Sequence, residues 1–546
     1  MSSNANGSTD IVSGGQLRRY DLLLKNGRIF DPSQKLDRVA DVGIIDGKIA
    51  AIESNIDVTR ARRNINVEGL LVCPGLIDLH VHCNMFRSPE ALDSTATGVA
   101  SGVTRIVDPG DSGAYNFNAF RKNVVEKSLT KIHSWLSVAG LGGFMFGLYN
   151  TDINLHPNMI DVDAAIACAK MYPEIIRGFK MYGAPEGWGT HDGTEVYRKA
   201  LEIATGSGLP LYVHSGAPAG DDNVVYGAHP VLYGELTTRE NALTKILELM
   251  RPGDLVAHVF STFSGTVWNW NESRMAHGAK EAYDRGILFD TGRGAHFSYT
   301  AIRNLLERGF VPHTISTDRH ASDQFDQFNR VSSAGMCLHM SELMVFGMSL
   351  ADVILRASWY PAKALRLTHE AGSLKIGYPA DIAVLALREG NWTFRDNPYA
   401  AGKPEAIRAK QLLTPVITLL DGKVCPANPG LLPDLHDLQT QEDVWSWMGD
   451  RPDRPWAYGL DEFDHKPRPI DGDTPPIGGK PGAHETSDEQ PRGRSVVAVP
   501  GHAPLAAPTT NASHSTESGL GATDAGRVEA RAIQASIGSN NKFTER

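Results

Sequence analysis

Pro74-Gly75-Leu76-Ile77-Asp78-Leu79-His80-Val81-His82 is an apolar run that ends in two histidines one residue apart. In an extended strand residues i and i+2 point to the same side, so both imidazoles reach one point in space, as a metal ion requires. Taken alone, the pair is equally readable as two hydrogen-bonded histidines at a strand end. Its surroundings decide the setting. Short apolar runs recur downstream at Thr104–Asp108, Trp135–Ala139, Ile176–Lys180, Pro210–His214, Asp254–His258, Gly286–Phe289 and Thr314–Thr317. Between them lie helix-patterned stretches, among them Val162–Met171, Thr194–Thr205, Thr238–Leu249, Tyr299–Glu307 and Leu350–Ala357. With Leu76–His80 as the first, eight strand signals alternating with helices predict an α/β fold, a (β/α)8 TIM barrel over residues 74–368.

The flanks have a different texture. Residues 20–73 carry short strands, including Leu22-Leu23-Leu24 and the two runs joined by Asp46-Gly47, a dipeptide that marks a tight hairpin. Short strands return over 369–426, where Ala380–Leu385 follows a turn and Val416–Leu420 runs into Asp421-Gly422-Lys423, an echo of Asp46-Gly47-Lys48. The two segments are expected to close one composite β-sandwich domain around the barrel. Residues 1–19 and the Pro/Gly-rich stretch 427–546 are poor in apolar periodicity and read as disordered. The piece around Trp445, Trp447, Trp456 and Tyr458 is open to docking on the body or to loose packing.

Composition narrows the function. The chain has 546 residues, 41 % of them hydrophobic and 21 % charged, which excludes collagen, coiled coil and wholesale disorder. No apolar run approaches the roughly 18 residues of a membrane span, and the polar first twenty residues lack the apolar centre of a signal peptide. The five cysteines form no CxxC pair, so a disulfide framework is not expected and a reducing cytoplasm is. A net charge of −10 offers no basic footprint for nucleic acid, and a homo-oligomer is left open. Residues 431–546 hold 18 acidic and 11 basic side chains, so about −7 of that charge lies in the tail.

Three further residues close strand signals: His214, His258 and Asp318. Each alone is readable as a packing or helix-capping group. Their spacing suggests more, because one βα unit takes roughly thirty residues. From His82 to Lys180 is about three units, from Lys180 to His214 one, from His214 to His258 one with an insertion, and from His258 to Asp318 two. All would stand at the C-terminal mouth of the barrel, where the active sites of such barrels sit. Lys180, in Ile176-Arg177-Gly178-Phe179-Lys180-Met181-Tyr182, is the odd member. An ammonium is a poor ligand, but a desolvated lysine loses its proton more readily, and its neutral amine can add carbon dioxide to give an anionic carbamate with two oxygens. An ordinary lysine with its head in solvent is the other reading.

This set resembles the amidohydrolase superfamily, and within it the metal-dependent deacetylase branch related to dihydroorotases and D-aminoacylases. Val107-Asp108-Pro109-Gly110, Gly113-Ala114-Tyr115-Asn116-Phe117, Arg251-Pro252-Gly253-Asp254, Ile315-Ser316-Thr317-Asp318 and Gly372-Ser373-Leu374-Lys375-Ile376-Gly377 extend the likeness over about residues 20–425. The resemblance implies two divalent metal ions, usually zinc. His80, His82, carboxylated Lys180 and Asp318 would hold one, and His214 and His258 the other, with the Lys180 carbamate bridging. It implies removal of an acyl group, foremost N-acetyl, from a small molecule by metal-bridged hydroxide, with Asp318 as the catalytic acid and base. Esterase action on O-acyl hydroxy acids, hydrolysis of cyclic amides of the hydantoin or dihydroorotate type, and a non-catalytic scaffold are the alternatives. Cys83-Asn84 departs from the arginine expected after His82 in a dihydroorotase, Arg293 stands where histidine is usual, and Ala217–Leu236 is longer than usual. Arg293 and His296 follow strand seven, where they would meet a substrate carboxylate or simply brace the loop.

Overall fold

The computed structural model describes residues 19–85, 91–143, 157–182, 193–216, 239–262, 265–270, 272–294, 297–319, 335–396 and 405–427. The expected disordered ends 1–19 and 427–546, the long stretch Ala217–Leu236 and His296 lie wholly or almost wholly outside those residues.

The flanking strands are β1 (Tyr20–Asp31), β2 (Leu36–Ile45), β3 (Lys48–Glu53), β4 (Ala61–Asn66) and β5 (Leu71–Pro74). The barrel strands are β6 (Leu76–Asp78), β7 (Val103–Asp108), β8 (Lys131–Ser137), β9 (Ile176–Tyr182), β10 (Leu211–His214), β11 (Leu255–Val256) and β14 (Leu288–Phe289), with a small hairpin of β12 (Trp268–Asn269) and β13 (Arg274–Met275) inserted. After the barrel come β15 (Ile382–Arg395), β16 (Ala406–Leu420) and β17 (Lys423–Pro426).

Strands from both flanks join one eight-stranded sheet in the order β17-β16-β15-β5-β1-β2-β3, with β4 also on β1. The junction is β5 against β15, where Cys73 pairs with Ala383. By pairing, the expected sandwich is thus one continuous sheet, and Leu22, Val42, Val72, Ile382 and Leu419 share its core. The two Asp-Gly echoes have a physical purpose. Asp46 and Gly47 have φ of 50° and 71°, and Asp421 and Gly422 have 49° and 75°, the left-handed pairs that a two-residue hairpin turn needs. The turns abut: a Cβ on Gly47 would lie 2.7 Å from the Asp421 carbonyl oxygen, so that glycine also serves close approach.

The barrel sheet runs β6-β7-β8-β9-β10-β11-β14, all parallel. The expected eighth strand at Thr314–Thr317 is not a regular strand. Parallel bridges Asp290–Thr314 and Val81–Arg319 nevertheless link it to both ends of the sheet. Its amides go largely elsewhere than to a ladder: Ser316 N donates to Thr291 Oγ1 at 2.9 Å, Thr317 N to Asp78 Oδ1 at 3.0 Å and Ile315 N to the Arg356 carbonyl at 2.9 Å. At Ser316 and Thr317 a polar side chain thus stands in for a main-chain partner.

Alternation sorts side chains between two cores. Phe179, Met181, Leu211 and Val213 face outward to the helices, while Ile77, Leu79, Trp135, Tyr212 and Leu255 fill the interior. Lys180 lies between Phe179 and Met181, so the pleat turns it inward. At the other end of the strands, Asp381 takes Lys131 at 3.0 Å and Arg105 at 3.1 Å, tying barrel to sheet.

Candidate metal centre

The candidate histidines stand at or just past the ends of their strands. His80 and His82 follow β6, Lys180 is inside β9, His214 ends β10, and His258 stands just after β11. His258 and Asp318 adopt φ of 65° and 50°, left-handed values uncommon for residues other than glycine and concentrated at functional positions.

The side chains converge. His80 Nε2 lies 3.0 Å and His82 Nε2 3.5 Å from Asp318 Oδ1, and ligand atoms of these three residues all fall within 4.8 Å of one another. His258 Nδ1 is 3.9 Å from the other Asp318 oxygen, and His258 Nε2 faces His214 Nδ1 at 2.8 Å. The rings of His80 and His258 are 5.1 Å apart, which joins the two groups. Lys180, 1 % exposed, places its Nζ 4.5 Å from the Tyr212 ring centre, and Tyr212 in turn touches His80. All six residues expected from the sequence are therefore in one place.

The second nitrogens are held from outside. His82 Nδ1 meets Asp111 Oδ1 at 2.6 Å, His80 Nδ1 meets the Tyr212 hydroxyl at 2.8 Å, and His258 Nδ1 meets the Gly292 carbonyl at 2.7 Å. Such partners orient imidazoles toward a metal.

Burial makes the electrostatics uneven. It pushes His80 down to about 3 against the pull of Asp318. It opposes charge on His82 too, yet Asp111 and Asp318 outweigh it and raise that imidazole to about 10. Lys180 is lowered to about 8 by burial, although Asp318, Asp290 and Asp111 favour its charged form. Asp108 is driven well above the carboxylate range by burial and then by the charge of Asp111. Asp78, under the closing segment, is raised by burial to about 7 despite donors from Thr317.

The amidohydrolase family model matches residues 71–425, most of the chain. The chain belongs to the amidohydrolase family. It is an enzyme, a hydrolase of carbon–nitrogen bonds. It is 28 % identical over 409 residues to a deacetylase of Agrobacterium fabrum, covering 74 % of this chain and 90 % of that one. It is 24 % identical over 449 residues to a dihydroorotase of Syntrophotalea carbinolica, covering 74 % and 98 %. Among solved structures, a dihydroorotase is similar with a TM-score of 0.61 at 26 % identity over 74 % of this chain and 99 % of that one. An adenine deaminase shares the fold at 0.61 and 24 %, over 74 % and 100 %.

The amidohydrolase residues fit a cation. Two imidazole nitrogens and a carboxylate oxygen aimed at one point are a donor set for a borderline ion such as zinc, and the His214–His258 approach offers two more nitrogens. Arg293 was expected either to meet a substrate carboxylate or to brace its loop. Its guanidinium is buried and binds Glu342 through Nε at 2.8 Å and a terminal nitrogen at 2.9 Å, with Phe297 beneath at 3.8 Å. Asn84, where a dihydroorotase-like arginine was absent, is buried and donates to Ser112 Oγ at 2.9 Å.

Sequence reasoning missed Asp111, Tyr212, Asp290 and Glu342. Tyr212 carried a signal, since it stands two residues before His214 on a strand and must share its face. Asp111, three residues past the end of β7, had only its place in a loop above the barrel to mark it.

Proposed function

We propose that this amidohydrolase holds two divalent ions, zinc in the first instance, and removes an acyl group, foremost N-acetyl, from a small molecule. The observation that carries this reading is the convergence of His80, His82, Lys180, His214, His258 and Asp318 at one barrel mouth, with a buried lysine among the ligands. His80, His82 and Asp318 would hold one ion, and His214 and His258 the other. Lys180 would bridge them as a carbamate: its neutral amine adds to carbon dioxide, a nitrogen–carbon bond forms and one proton leaves. A lysine lowered to about 8 by burial supplies neutral amine near pH 7 more readily than one in solvent.

When bound, such ions polarise an acyl carbonyl and lower the pKa of water. The chain's own part is then proton traffic and exclusion of water. Asp318, 4 % exposed and flanked by His80 and His82, takes the proton of the attacking water at a carboxylate oxygen. It returns that proton to the leaving nitrogen as the carbon–nitrogen bond breaks, giving a carboxylic acid and an amine. The deacetylase relative favours an acyclic N-acyl substrate. The dihydroorotase relatives favour a cyclic amide, but Asn84 supplies no cationic group for a dihydroorotate-like carboxylate. A cytoplasmic setting fits five free, buried cysteines. Among the described residues no helix is long and apolar enough to cross a membrane.

The test is a panel of N-acetyl amino acids, O-acetyl hydroxy acids and cyclic amides, assayed with the protein's metal content measured in parallel. Turnover confined to N-acetyl compounds, with near two equivalents of metal, is expected. Turnover confined to cyclic amides, or full activity without metal, overturns the reading.

A further inference from the structure

Tyr212 enters the barrel beside His214 and is fully buried. Its ring lies 5.3 Å from that of Trp135 on one side and 4.5 Å from Lys180 Nζ. Its hydroxyl sits between two groups, 2.6 Å from Asp290 Oδ2 and 2.8 Å from His80 Nδ1. Asp290 also accepts from Thr314 Oγ1 at 2.6 Å and from the Ser316 hydroxyl. A carboxylate ringed by three hydroxyl donors acts as an acceptor toward all of them.

Hydrogen counting then sets the direction of the chain. A phenol has one hydrogen; given to Asp290, it leaves the phenol oxygen as an acceptor toward His80. His80 then carries its hydrogen on Nδ1 and keeps the Nε2 lone pair for a cation; without one, Asp318 Oδ1 at 3.0 Å competes for a hydrogen on Nε2. His258 reaches the same state by simpler means, through the Gly292 carbonyl. A phenol both donates and accepts, so at His80 the outcome depends on a further residue, Asp290.

We infer that Tyr212 and Asp290 are positioning residues that lock His80 in the Nδ1–H tautomer and thereby set how tightly the His80–His82–Asp318 cluster holds a divalent cation. This rests on the metal site proposed above. Outer partners of this kind change metal affinity by about 10–100-fold.

The experiment uses full-length Tyr212→Phe, which keeps the ring, Asp290→Ala, and the double variant. Zinc remaining per chain is measured against rising concentrations of a chelator. Each single change is expected to weaken retention by about 10–100-fold, and the double variant to lose no more than the worse single, because both cut one relay. Retention within twofold of wild type in Tyr212→Phe, or losses that multiply in the double variant, overturns the inference. A second readout does not need turnover. Nitrogen-15 NMR of the zinc-loaded protein, with the His80 signal assigned by its loss in His80→Gln, should show Nδ1–H in wild type and a mixture in Tyr212→Phe. Nε2–H in zinc-loaded wild type overturns the relay. Failure of wild type to hold zinc at all would instead sink the metal reading, whereas zinc held equally well by wild type and Tyr212→Phe sinks the relay alone.

Discussion

The His80–His82–Asp318 cluster and the Arg293–Glu342 pair are both buried and both charged, yet they are assembled in opposite ways. Around Glu342 every direction is met: Arg293 binds it through two nitrogens, the Tyr299 hydroxyl at 3.0 Å and His339 Nδ1 at 3.2 Å. Burial works against the carboxylate, but Arg293 and His339 outweigh it and hold it at about 2. In the first cluster the imidazoles are satisfied on their outer nitrogens, and the inner ones are pressed against a single carboxylate. The result is two neighbouring histidines at about 3 and about 10. A buried charge group that closes on itself is a brace; one whose donors share a point facing inward is a receptor for something else. On that contrast Arg293 acts as a brace for the helix Gly335–Val345, more than as a hand for substrate.

The sharpest way to break the comparison is Lys180→Ala. It should lower kcat/KM on the order of 10³-fold, about 4 kcal/mol, with partial rescue by short carboxylic acids, since a receptor loses function with its ligand. Unchanged activity would remove Lys180 from the site. Next comes Glu342→Gln, which leaves Arg293 buried without its counter-charge and should cost about 3–5 kcal/mol of stability by thermal or denaturant melting, with metal content unchanged. Loss of activity with stability intact would move Arg293 to the substrate.

The same pair carries a pH signature. The Glu342 carboxyl is held below its ordinary range in the folded state, so its contribution is full above the unfolded pKa, about 4.3, and fades as pH falls toward 2. The groups facing it are Arg293, His339 and Tyr299, and burial holds the His339 imidazole below its ordinary range. Glu342→Gln should flatten this acid limb of the stability curve; an identical limb in the variant would assign it to other carboxylates. The smallest effect is expected far from the mouth. Asp421 is half-exposed and pairs with Lys131 at 2.7 Å, so Asp421→Asn, which tolerates the left-handed turn, should change stability by no more than about 1 kcal/mol. A larger loss would show that the tie between barrel and sheet is more than a surface pair.

Much of this was legible beforehand because it is local. The helices Val162–Met171 and Tyr299–Glu307 end where their patterns do, and the four candidate histidines stand at or just past strand ends because apolar runs stop there. The eighth strand was legible as a place but not as a strand, since Thr291 and Asp78 take its amides through side chains distant in sequence. The inserted hairpin at Trp268–Met275 was not foreseen, because two-residue strands carry no period.

By itself, then, the sequence determined the order of strands, the strand-end histidines, the inward turn of Lys180 through the two-residue pleat, and the two Asp-Gly hairpins. Each follows from spacing along the chain. Only the tertiary structure decided which partners orient the histidines, that the two Asp-Gly turns meet, and that Arg293 is committed to Glu342. Those depend on groups brought together from strands and helices far apart in sequence, where burial makes a hydrogen bond or an ion pair decisive and one sequence offers many candidate partners for each.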